Sequence, residues 1–133
     1  ANVSQKASPE KLSSETLAKL EVLAENPNIV SDPFPLAQML FNCGQFTLAA
    51  KFYYLALDTN SSSGRALTID DKAWILLQIA ECNKNEPSQA LKAIDRLLQK
   101  YPNSIWSRAA HVKRELLQWY AVENPETLTG VAP

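Results

Sequence analysis

The prolines of this chain stand at the edges of its apolar stretches. Pro9, Pro27, Pro33, Pro35, Pro87, Pro102 and Pro125 each precede or follow a run whose apolar residues recur at helical spacing. Proline is tolerated in a helix's first turn and disrupts its interior. A chain punctuated in this way is constrained to short helices joined by tight turns. No stretch sustains the alternation of a half-buried strand, so the expected fold class is all-α.

Six helices follow from the punctuation. Ser8-Pro9 reads as an N-cap with proline at the first helical position, ahead of Leu12, Leu17, Leu20, Leu23 and Ala24. Asp32-Pro33 opens a second helix with Leu36, Ala37, Leu40 and Phe41, and Gly44 closes it in the left-handed conformation a helix end favours. Phe46, Ala49, Ala50, Tyr53, Leu55, Ala56 and Leu57 mark the third, and Ser61-Ser62-Ser63-Gly64 a loop. Thr68 with Asp71 three residues on resembles a capping box before Ile75, Leu76, Ile79 and Ala80. After the turn Asn85-Glu86-Pro87, the fifth helix carries Ala90, Leu91, Ile94, Leu97 and Leu98. Ser104 is expected to cap a sixth, with Ile105, Ala109, Val112, Leu116 and Tyr120 on its inner face.

The length of 133 residues suits one domain over 1–133, with 1–7 and 123–133 as flexible ends. Hydrophobic residues make up 46% and charged residues 20%, enough apolar content for a packed core. Thirteen Lys plus Arg against fourteen Asp plus Glu leave a net charge of −1, which argues against nucleic acid or an anionic membrane as partner. Apolar runs such as Phe52–Leu57 are far too short to insert in a membrane. Cys43, Cys82 and His111 are too few and too widely spaced for a structural zinc site, so no metal or cofactor is expected. The two thiols read as small residues on helix faces. The chain starts at Ala1 and its one methionine is Met39, which suits initiator removal, signal cleavage or excision equally. Cytoplasm and bacterial periplasm both remain open. Asn2-Val3-Ser4 and Asn60-Ser61-Ser62 match the glycosylation acceptor pattern, which matters only in a eukaryotic secretory protein.

Leu36-Ala37-x-x-Leu40, Gly44 and Ala49-x-x-x-Tyr53-x-x-Ala56 form an internal unit. It resembles the tetratricopeptide repeat (TPR), in which small residues let two helices approach and large ones fill the space around them. A second copy ends with Ala90-x-x-x-Ile94-x-x-Leu97 and Pro102. Its first helix has two registers. Counting back without a gap buries Gln78 and Glu81; a turn two residues shorter buries Leu76, Ile79 and Ala80 instead. An unpaired buried carboxylate costs more than a short turn, so the second register is expected. Pro33 and Asn83 depart from the repeat pattern, and the resemblance covers residues 32–102. The run Leu97–Ser104 resembles the repeat junction of bacterial periplasmic TPR proteins.

The resemblance implies a superhelix of about six antiparallel helices that serves as a protein-interaction scaffold. Its concave groove would be lined by Phe34, Gln38, Phe41 and Asn42 in the first copy and by Trp74, Leu77, Glu81 and Lys84 in the second. Apolar anchors on a peptide or partner protein suit such a lining. Phe34 and Trp74 occupy positions where the carboxylate clamp of chaperone-binding TPR domains carries polar residues, so an acidic C-terminal peptide is not the expected ligand. The alternatives are that the first and last helices cover these aromatics as core, or that the chain is a structural segment of a larger assembly with the patch permanently buried. Trp106 and Trp119 are expected either against the fifth helix or on a homodimer surface. An enzyme is not expected. His111 has Glu115 four residues on but no nucleophile in a recognisable motif, and three glycines leave no phosphate loop.

Overall fold

The structure is a computed structural model that describes residues 12–58 and 66–123. Among these residues the fold is all-α, with six helices and no strand. The helices are α1 (Ser14–Ala24), α2 (Pro33–Asn42), α3 (Phe46–Asp58), α4 (Ile69–Cys82), α5 (Pro87–Lys100) and α6 (Ser107–Glu123). Within the span 1–133 expected as one domain, contacts gather in two compact units, Ala1–Ser63 and Gly64–Pro133. The expected flexible end 1–7, residues 124–133 and the Ser61–Gly64 loop lie outside the described residues. No described helix is long and apolar enough to cross a membrane.

In the first unit, α1 begins later than expected. Leu12 and Ser13 precede the helix, and Ser13 is extended (φ −70°, ψ 158°). Its Oγ accepts from the Thr16 amide at 3.1 Å, so Ser13 is the N-cap, and Ser8-Pro9 lies outside the described residues. Asn26 then donates its side-chain amide to the Val22 carbonyl at 2.7 Å, and a single 3-10 turn follows at Pro27–Ile29. The α2 start at Pro33 is as expected. Its end is a full Schellman motif: the Gln45 amide donates to Leu40 O at 2.9 Å and the Gly44 amide to Phe41 O at 3.0 Å. Gly44 sits at φ +78°, and a Cβ there would meet nothing within 4 Å. Gly44→Ala should therefore cost only the left-handed backbone penalty, roughly 1 kcal/mol. A lowered urea midpoint at unchanged slope is the expected reading, with Gly44→Asn less damaging.

Only three residues separate α2 from α3, and the two helices pack against each other, so they run antiparallel. Ala37, Leu40, Ala49, Tyr53 and Ala56 are buried in this pair. The small side chains at 37 and 49 are fully buried, as close helix approach requires. Burial on α3 extends to Leu48 and Phe52, outside the expected stripe, because α1 packs on α3 as well. Lys51 Nζ meets Glu21 Oε1 at 3.3 Å across that second contact.

In the second unit, Thr68 and Asp71 form the reciprocal capping box. Asp71 N donates to Thr68 Oγ1 at 3.0 Å, and Thr68 N donates to Asp71 Oδ2 at 3.1 Å. Leu76, Ile79 and Ala80 are buried, while Gln78 and Glu81 are only half-buried. The shorter-turn register is the one the helix adopts. Helix α5 packs against both α4 and α6 and buries Ala90, Ala93, Ile94 and Leu97; Leu91 and Leu98 are half-buried.

The sixth helix departs most from expectation. It starts at Ser107, not directly after Ser104. Ser104 is buried in the preceding turn, where its Oγ accepts from Trp106 N at 3.2 Å and its carbonyl from Ser107 Oγ at 3.0 Å. Ile105 N donates to Asp70 Oδ1 at 3.0 Å, tying this turn to the start of α4. The buried residues are Ala110 and Leu117, with Trp106 half-buried. The face expected to be inner, with Ile105, Ala109, Val112, Leu116 and Tyr120, is the exposed one. Both stripes have helical spacing, so periodicity alone does not choose between them; packing on α5 does.

Candidate interaction surfaces

The groove residues expected from the first unit lie on α2. Phe34 is half-buried, and its ring is tilted against Tyr53 with centroids 6.4 Å apart. The buried Tyr53 hydroxyl donates to Gln38 Oε1. A buried phenol needs such a partner, so Gln38 has a structural task. Phe41 meets Phe46 edge to face at 5.2 Å across the α2–α3 turn. Asn42 is exposed at the helix end.

In the second unit, α6 and the turn before it each reach one of the expected groove residues. Trp74 and Trp106 lie with ring centroids 4.8 Å apart at 47°. Lys113 Nζ donates to Glu81 Oε1 at 2.8 Å. Both residues are thus engaged within the unit while still half-exposed. Leu77 is half-buried and Lys84 exposed. On the other side of α6, Arg114 Nε donates to Asp95 Oδ1 on α5 at 2.9 Å. These contacts orient α6: Lys113 reaches α4, as does Trp106 in the preceding turn, and Arg114 reaches α5.

The surface that sequence reasoning misplaced lies on α6. Val112 is 54% exposed, Leu116 59%, Trp119 63% and Tyr120 42%, and in the preceding turn Ile105 is 70% exposed. Residues at i, i+4, i+7 and i+8 share one helix face. This stripe adjoins the edge of α6 that meets α4. The signal was present in the sequence as an apolar arc too wide for one contact: Ala110 and Leu117 on one side, Val112, Leu116 and Tyr120 on the other. Trp106 and Trp119 thereby part, one against Trp74 and the other in solvent.

The single histidine, His111, and Glu115 are both exposed on α6. Cys43 and Cys82 are free thiols. Burial, with a smaller contribution from the Glu81 carboxylate, pushes Cys82 from its ordinary 9.0 up to about 12. Because the thiolate is the reactive form, iodoacetamide at pH 8 should label Cys82 roughly a thousandfold more slowly than an ordinary thiol. Glu81→Gln should speed that labelling. The linkage has a definite sign: the unfolded thiol ionises near 9 while the folded one keeps its proton. This contribution to stability is present below pH 9 and is lost as pH rises toward 12.

Neither a protein-family model, a curated protein nor a solved structure matches this chain.

Proposed function

We propose that this chain is a protein-interaction scaffold, TPR-like in its helix pairing, that binds a peptide or protein surface through apolar helix faces. The observation that carries the reading is the solvent-facing stripe of Val112, Leu116, Trp119 and Tyr120 on α6. Folded chains seldom leave so continuous an apolar face to water without a use for it. Trp74, Leu77 and Glu81 on α4 extend the surface, because Trp106 in the turn before α6 and Lys113 on α6 touch that helix. Phe34, Phe41 and Asn42 on α2 form a separate candidate surface. In this reading Gln38 supports Tyr53, and Lys84 lies at the rim.

Peptide display on the full chain tests the reading. Peptides with apolar anchors should be enriched on the wild type. A folded Trp119→Ser variant should bind them more than about fivefold more weakly, as expected for a buried aromatic anchor. Failure to enrich any peptide, or enrichment indifferent to the α2, α4 and α6 residues alike, would sink it.

A further inference from the structure

We infer that the exposed stripe of α6 is a self-association surface, on which a second copy of the chain lays its own α6 antiparallel. The inference rests on the protein-binding reading above and names one occupant of that surface. Two features of the stripe support it.

The first is its size. Ile105, Val112, Leu116, Trp119 and Tyr120 together leave on the order of 500 Å² of apolar surface in water. Two copies would bury about 1,000 Å² in all, the lower limit for a specific interface. That area suits a reversible dimer, not an obligate one.

The second is a gradient of side-chain size. Along α6 the stripe reads Ala109, Val112, Leu116, Trp119. In a parallel pair, bulky ends would meet bulky ends and small ends would leave a gap. In an antiparallel pair centred between Val112 and Leu116, the Trp119 indole of one copy faces the notch at Ala109 of the other. Valine then lies opposite leucine. Such a pairing is isologous, with both copies using the same patch, which is the symmetry of most small oligomers.

The test is sedimentation equilibrium of the full chain from micromolar to submillimolar concentration. A reversible monomer–dimer equilibrium is expected. Leu116→Glu should abolish it while leaving the circular-dichroism melt nearly unchanged, since Leu116 is exposed. Ala109→Trp alone should weaken the dimer roughly two- to fivefold by filling the notch that receives Trp119, and Ala109 is exposed, so the fold should keep. The double exchange Ala109→Trp/Trp119→Ala should restore it, an outcome that non-specific apolar sticking does not produce. A chain that stays monomeric overturns the inference, and so does a dimer indifferent to Leu116→Glu or without rescue by the double exchange. Peptide display separates this failure from that of the broader reading. A monomer that still captures Trp119-dependent peptides loses only the second copy, whereas a monomer that captures none loses both.

Discussion

Phe52→Ala is expected to cost the Ala1–Ser63 unit roughly 3–5 kcal/mol. Phe52 is fully buried on α3, the helix that packs against both α1 and α2. Truncation there leaves a cavity lined from two sides, and neither neighbour can close it without losing its hold on α3. A unit of this length holds roughly 3–9 kcal/mol in total, so the variant should be partly or wholly unfolded in this unit at ambient temperature. The readout is favourable because Trp74, Trp106 and Trp119 all lie beyond Gly64. Far-ultraviolet circular dichroism should lose helical signal early in the melt, while tryptophan fluorescence keeps the wild-type midpoint. A melt unchanged by both probes would refute the two-sided packing of α3.

Ile94→Ala should produce the mirror result, a loss of roughly 2–5 kcal/mol read by tryptophan fluorescence. Ile94 is fully buried on α5, which packs against α4 and α6. Its loss loosens the support of α4, which carries Trp74, and of α6, whose preceding turn carries Trp106; the two ring centroids lie 4.8 Å apart. Fluorescence should therefore report early melting, and the emission should move to the red as the indoles meet water. Leu116→Ala serves as the comparison. It deletes a similar volume from an exposed site, so its cost should stay within about 0.5 kcal/mol.

The helix boundaries were the most legible feature of the sequence, because the signals that set them are local. Asp32-Pro33, Gly44, the Thr68–Asp71 box and Pro87 each act within a few residues, and each lies where the chain was expected to turn. The register of α4 was also legible, since burying Gln78 and Glu81 unpaired would cost several kcal/mol, and the helix leaves both only half-buried, with Glu81 paired to Lys113. The start of α1 was expected at Ser8-Pro9, outside the described residues, and Ser13 holds the cap bond. The candidate surface was legible only in part. Phe34, Phe41, Trp74 and Leu77 were read as groove residues, and each is half-buried. Nothing local in the sequence said that the turn before α6 would supply Trp106, and α6 itself Lys113, as partners for Trp74 and Glu81.

By itself the sequence determined, for the described residues, an all-α fold, the number of helices and most of their ends, because capping, proline geometry and the cost of burying charge are decided over a single turn. Only the tertiary structure decided how each apolar arc is used. Helices α3 and α6 both carry apolar residues over more than one face. On α3 the extra face is filled by α1, and Leu48 and Phe52 become core. On α6 the packing of α5 takes Ala110 and Leu117 and leaves Val112, Leu116 and Trp119 in water. Periodicity sets which residues share a face; which face is buried depends on a neighbouring helix that the helix's own sequence does not encode.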